Sequence, residues 1–247
     1  MFKWFFLYLL FIHILGDFYF QTKHLARQKN ESRLKLIEHG LIYTAVSIIL
    51  IIPIYQTSLL IAAFVLSFSH IVIDMLKYAY IKDYVLKDKY RPEKARSVYL
   101  IDQFLHIVCI FLVALILAAK NTEMIVIPFI NRVFEIIGIP YILFVAWCLI
   151  FLLIWKPANI TIKHLLCLNR PSEDDGKKAG GFIGLLERLL ILLFLSINQY
   201  SAIGLVLTAK SIARYDEISK DKDFAEYYLL GTLLSTFIVI SSFLIVM

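Results

Sequence analysis

Charge is scarce in this sequence. Asp, Glu, Lys and Arg make up 18% of the 247 residues, 60% are hydrophobic and the mean hydropathy is +0.78. Soluble domains carry about 25% charged residues, so this balance excludes a chain with a large water-facing surface. Cysteine is scarce too. Cys109, Cys148 and Cys167 stand apart with no C-x-x-C spacing, which argues against a disulfide scaffold or a thiolate zinc site. There is no glycine-rich nucleotide loop, no Ser-His-Asp order and no H-E-x-x-H. The first segment, MFKWFFLYLLFIHILGDFYF, lacks a small-residue cleavage site and is interrupted by His13 and Asp17. It therefore reads as a retained helix and not as a signal peptide.

What the chain does have is a series of apolar runs of about 20 residues, the length a helix needs to cross a hydrocarbon core of ~30 Å. Eight candidate spans follow, at 2–21, 34–55, 58–80, 98–119, 140–163, 180–198, 200–215 and 226–246, the seventh being the shortest. The expected fold is all-α, a polytopic membrane helical bundle. Met124 to Ile139, with Asn131, Arg132 and Glu135 among apolar residues, reads as an amphipathic interfacial segment. The expected organisation is a four-helix half at 1–120, the interfacial segment and fifth helix at 121–168, a polar linker at 169–181 and a three-helix half at 182–247.

The basic residues set the expected orientation. Of the 25 Lys and Arg, 21 fall in or beside alternate connections, those after spans one, three, five and seven. The other connections carry almost none. Cytoplasmic loops are the Lys/Arg-rich ones, so both termini are expected on the non-cytoplasmic side. Topology also accounts for the net charge of +6 without a polyanionic partner, and nucleic-acid binding is not expected.

Ionisable residues inside a span cost about 2.5–3.5 kcal/mol each on insertion scales, so each calls for a partner or a function. The first four spans are rich in them: His13 and Asp17 in span one, Glu38 and His39 in span two, His70 and Asp74 in span three, Asp102 and His106 in span four. An i,i+4 spacing stacks each His/Asp pair on one helix face. Spans one and three run inward and read His-x-x-x-Asp, whereas span four runs outward and reads Asp-x-x-x-His. This reversal keeps histidines level with histidines and carboxylates level with carboxylates. A lone pair of this kind reads as a hydrogen bond between helices. Three pairs at matched depth read as a metal or catalytic site.

Imidazole and carboxylate on facing helices are ligands for Zn, Mn or Fe, and the expected ligand set is His13, Asp17, His39, His70, Asp74, Asp102 and His106. His39, beside Glu38, also reads as an interfacial snorkelling residue. Gln21, Lys77 and Gln103 adjoin the set and are candidates to orient a ligand or counter a carboxylate. If the centre is catalytic, the chemistry expected is hydrolysis of a lipid-linked ester or phosphoester, with Glu38 or Asp102 as general base. A cation or proton relay through the same layer, and a membrane sensor or scaffold recruiting a cytoplasmic regulator, are the rival readings. In the second half, Glu187 with Lys210 or Arg214 reads as an interhelical ion pair. Arg188, Lys210 and Arg214 are alternatively placed to meet an anionic headgroup.

HILGDFYFQT, SHIVIDMLK and IDQFLHI, with the later GLLERLL, AKSIAR and EYYLLGTLLS, resemble a bacterial inner-membrane family catalogued as domain of unknown function 3307. That resemblance implies a multi-pass protein of the bacterial cytoplasmic membrane, in contact with lipids and accompanied by a SatD-like cytoplasmic regulatory protein. The His/Asp helices are more distantly similar to the YdjM-type membrane-bound metal-dependent hydrolases, although the Asp-x-Asp-His pattern of those proteins is absent.

Overall fold

A computed structural model of the chain describes residues 1–54, 56–85, 92–166 and 177–247. Lys87, Lys89, Arg91, Cys167, Arg170 and the linker positions 169–176 lie outside these residues. Helices account for nearly all of the regular structure, and there is no strand among the described residues. The chain divides into two compact units, Met1–Leu149 and Ile150–Met247.

The first unit is built on four long helices. α1 (Phe2–Ile14) continues into a π turn at Leu15–Tyr19; α2 (Lys23–Gln28) is a short fold-back capped by Thr22, whose hydroxyl accepts from the Leu25 amide. α3 (Arg33–Ile51), α4 (Thr57–Tyr80) and α5 (Pro92–Ala119) follow. α1 packs on α3 and α5, and α4 packs on the same two helices, so the four close into a ring around a common interior. α6 (Pro128–Ile137) begins on a proline and ends at Gly138, whose φ of 78° suits a left-handed helix cap. Phe129, Val133, Ile136 and Ile137 form one exposed face of α6, opposite Asn131, Arg132 and Glu135. α7 (Tyr141–Ile154) follows, and the division between the units falls within it.

Two glycines set how closely the ring packs. A Cβ on Gly16 would stand 2.6 Å from Cδ2 of Tyr43 on α3, and one on Gly40 would stand 2.6 Å from Cγ1 of Ile71 on α4. Without a side chain at either position, α3 approaches both α1 and α4 next to His39 and His70.

Polarity in this ring is inverted relative to a soluble bundle. On α4, Phe64, Phe68 and Met75 are exposed while Ser67, His70 and Asp74 are buried; on α5, Phe104, Phe111 and Leu115 are exposed while Asp102 and His106 are buried. An apolar outside around a polar inside is the arrangement suited to lipid, where polar groups must find partners within the protein.

The second unit contains α8 (Lys156–Leu165), α9 (Lys177–Ser196), α10 (Tyr200–Ala213), α11 (Tyr215–Lys220) and α12 (Lys222–Val246). α12 packs on α8, α9 and α11, and α9 packs on α10. Asp221 caps α12, its carboxylate accepting from the amides of Asp223 and Phe224.

Six helical segments among the described residues are long and apolar enough to cross a membrane: Phe2–Tyr19, Arg33–Ile51, Thr57–Asp83, Glu93–Ala119, Tyr141–Leu165 and Lys222–Val246. Eight were expected. The other two are α9, of 20 residues, and α10, whose 14 residues extend only about 21 Å.

Candidate metal centre

The ring of α1, α3, α4 and α5 brings the four histidines and three aspartates together, with none of the seven more than 8% exposed. At the carboxylate level, acids and ammonium groups alternate. Lys29 Nζ donates to Asp17 Oδ1 at 3.3 Å and to Asp74 Oδ2 at 3.1 Å. Lys77 Nζ lies 3.7 Å from Asp74 Oδ1 and donates to Asp102 Oδ2 at 2.8 Å. Gln103 closes the circuit, its amide donating to Asp17 Oδ2 and Asp102 Oδ2, each at 3.2 Å. The order around the circuit is Asp17, Lys29, Asp74, Lys77, Asp102, Gln103.

Local structure explains how Asp17 and Lys29 reach this level. The π turn widens the end of α1 at Leu15–Tyr19, the Phe20 amide reaching back to the Leu15 carbonyl at 2.9 Å, and carries Asp17 inward. α2 then folds the chain back so that Lys29 enters between α1 and α4. Burial opposes charge on the Lys29 ammonium, but Asp17, Asp74 and Asp102 outweigh it and hold the group above the ordinary lysine range. Lys29 is therefore a cation at neutral pH. Gln21 lies over the same point: with its amide turned so that the oxygen faces the donors, its nitrogen donates to the Asp17 carbonyl at 3.0 Å and its oxygen accepts from Lys29 Nζ at 3.1 Å and His39 Nδ1 at 3.3 Å.

The imidazoles form the next layer. His39 Nε2 lies 3.0 Å from His70 Nε2, 3.3 Å from Asp17 Oδ1 and 3.5 Å from Asp74 Oδ2. His70 stacks on Tyr43, with centroids 3.9 Å apart and planes within 6°, and on His106, with centroids 4.4 Å apart. The Tyr43 hydroxyl lies 3.3 Å from His13 Nδ1. The His13 and His106 rings stand 5.0 Å apart.

Three groups present ligand atoms within 4.8 Å of one another: His13, His70 and His106; Asp17, His39 and His70; Asp74, Asp102 and His106. His70 and His106 each belong to two groups, so the three are linked. Four buried atoms here have no hydrogen-bond partner: His13 Nε2, His70 Nδ1, and His106 Nε2 and Asp102 Oδ1, which face each other at 3.6 Å. An unpaired buried polar atom costs about 1–3 kcal/mol, and a cluster of them calls for an ion or water to satisfy it. Neutral imidazoles and a carboxylate fit a divalent transition-metal ion, and three histidines resemble the protein donor set of open zinc sites. His13, with Tyr43 at Nδ1, and His39, with Gln21 at Nδ1, each have the second ring nitrogen held as metal-ligating histidines usually do.

All seven residues expected as ligands lie in this centre, and Gln21, Lys77 and Gln103 adjoin it. Glu38 lies outside it, exposed on α3 and bonded to Lys35 at 2.7 Å. Two members were not singled out in the sequence. Tyr43 is four residues from His39, so helical spacing would have placed it on the same face. Lys29 reads as one of many loop cations, and only the fold-back of α2 brings it inside.

In the second unit Lys210, not Arg214, pairs with Glu187, and Lys210 also donates to Thr232 at 3.1 Å. Arg214 is bonded to Glu217 at 2.8 Å. Arg188 is buried and donates from each of its three nitrogens: Nε to the carbonyl of Ile154, the last residue of α7, Nη2 to Asn159 and Nη1 to Ser235. It thus satisfies a helix-end carbonyl left open where Trp155 interrupts the segment.

Fold and site together define a helical protein, apolar on its outer faces, with a buried His/Asp/Lys centre of a composition that can hold a metal ion. Residues 5–133 match a family model described as protein of unknown function (DUF3307), and the chain belongs to that family. The matched stretch contains every residue of the centre, whereas GLLERLL, AKSIAR and EYYLLGTLLS fall outside it. No curated protein and no solved structure matches the chain, so nothing in the comparisons carries the likeness to YdjM-type hydrolases.

Proposed function

We propose that this chain is a multi-pass protein of the bacterial cytoplasmic membrane whose His/Asp centre holds a divalent metal ion, Zn, Mn or Fe, and hydrolyses a lipid-linked ester or phosphoester. The observation that carries the reading is the set of buried atoms without a hydrogen-bond partner on His13, His70, His106 and Asp102, gathered from three helices. A bound ion would supply Lewis acidity toward the ester and make water acidic. We assign Asp102 as the general base: Lys77 and Gln103 hold Oδ2, while Oδ1 faces His106 Nε2 at 3.6 Å. Lys77, Gln103 and Gln21 are half-buried and form the edge of the centre, at the helix ends that meet the Lys/Arg-rich connections. This favours entry of a headgroup from the cytoplasmic leaflet. It also weighs against a relay across the bilayer, because the charged groups lie toward one end of the ring.

The test is elemental analysis of tag-free, detergent-purified protein beside His106→Ala, followed by hydrolysis assays on phospholipid and polyprenyl-phosphate substrates. A bound divalent ion that is lost in His106→Ala, with hydrolysis falling at least 100-fold, is the expected result. Absence of metal after loading would remove the metal reading; metal without hydrolysis, together with ion flux in liposomes, would replace the enzyme by a transporter.

A further inference from the structure

Lys29 occupies a place that the surrounding ligands would otherwise offer to a cation. An ammonium group has three N–H donors, and three oxygens surround this one: Asp17 Oδ1 at 3.3 Å, Asp74 Oδ2 at 3.1 Å and Gln21 Oε1 at 3.1 Å. The same Asp17 Oδ1 and Asp74 Oδ2 are approached by His39 Nε2 at 3.3 and 3.5 Å and by His70 Nε2 at 4.0 and 3.6 Å. Two carboxylates and two imidazoles thus converge on one point, which is a four-donor set for a divalent ion, and Lys29 Nζ is bonded to its oxygens. The unpaired nitrogens of His13, His70 and His106 belong to the neighbouring group, which Lys29 does not contact in any hydrogen bond or ion pair described above.

We propose that Lys29 is a tethered cation filling the second metal position of this centre, so that the centre takes a single divalent ion on its His13/His70/His106 side and becomes a two-ion centre when Lys29 is replaced by an acid. The proposal rests on the metal-site reading above. Charge balance supports it. Three aspartates with Lys29 and Lys77 leave a formal charge of minus one, which one divalent ion turns to plus one. A second ion would raise this to plus three in a buried place, a charge that low dielectric opposes strongly. With glutamate at position 29 the protein groups sum to minus three, and two divalent ions then return the centre to the same plus one.

The full-length protein in detergent, without an affinity tag, is loaded with zinc sulfate, dialysed and assayed for zinc per chain, as wild type, Lys29→Gln, Lys29→Glu and Lys29→Glu/His39→Ala. Lys29→Gln guards against failure of the acidic variant to fold. Manganese loading adds a second readout, because two adjacent Mn ions couple magnetically and one does not. The expected result is one zinc in wild type, two in Lys29→Glu with a weaker second site in Lys29→Gln, return to one when His39 is also removed, and a coupled manganese signal only in the two single variants. Two ions in wild type, or one ion in every variant, would overturn the proposal while leaving the metal site standing. No zinc in any of the four proteins would overturn both.

Discussion

His13 is held from one side by the Tyr43 hydroxyl and has its other nitrogen free, so Tyr43 sets the ring orientation without being a ligand itself. Partners of this kind change metal affinity by about 10–100-fold. Tyr43→Phe keeps the stack on His70 and removes only the hydroxyl, and it is expected to weaken zinc binding by about tenfold in a chelator competition. Glu38→Gln, exposed and outside the centre, is expected to leave that affinity unchanged. Equal affinities in wild type and Tyr43→Phe would make the hydroxyl a packing feature only. The histidines and aspartates of the centre were legible in the sequence because an i,i+4 step is a property of a single helix, and because reversing the motif with helix direction holds whichever helices are neighbours. Lys29 was not legible: its place depends on a six-residue helix folding back between α1 and α3, and a basic residue in a connection has an ordinary explanation in topology.

At the scale of helices, packing decides the sign of a glycine substitution. Ala is favoured over Gly inside a helix by about 1 kcal/mol, and forcing an extra carbon into a packed contact costs about 1–3 kcal/mol. At Gly40 a Cβ would meet Ile71 at 2.6 Å, with Cδ1 at 2.9 Å, whereas at Gly204 in α10 nothing lies within 4 Å. Gly40→Ala is therefore expected to lower the thermal midpoint in detergent and to weaken metal binding, since His39 is next in the chain and Ile71 is next to His70. Gly204→Ala is expected to leave the midpoint unchanged or raise it. A rise in both variants would show that α3 and α4 can separate without cost. The helices themselves were largely legible, since a long apolar run admits few other structures. The glycines' purpose was not, because a contact between α3 and α4 has no signature in either helix alone. The same holds for Arg188, which reads as a candidate for an anionic headgroup until the break at Trp155 shows which carbonyl it caps.

For the whole molecule, the number of crossings and the placement of the ends are separable. The six long apolar segments leave out α9 and α10, which were expected as the sixth and seventh spans. These two helices are consecutive, joined by the turn at Ile197–Gln199. Adding or removing a consecutive pair changes the count by two and leaves both ends of the chain on the same side, so the orientation drawn from the basic connections does not depend on which count holds. The turn itself does depend on it. If α9 and α10 cross, Asn198 faces the non-cytoplasmic side; if they lie along the inner leaflet, it faces the cytoplasm. The 14 residues of α10 are short for a full crossing, a mismatch that local thinning and flanking snorkelling groups such as Lys210 can absorb at modest cost. The turn carries no basic residue, which favours the outer side. In a protein with Cys109, Cys148 and Cys167 replaced, single cysteines at Asn198, Ser219 and Met247 are therefore expected to react with a membrane-impermeant maleimide in intact cells at Asn198 and Met247 and to be protected at Ser219. Protection at Asn198 with labelling retained at Met247 would reduce the bundle to six crossings and keep its orientation. Protection at Met247 would reverse the orientation and move the edge formed by Lys77, Gln103 and Gln21 to the outer leaflet, where a headgroup would have to enter from outside.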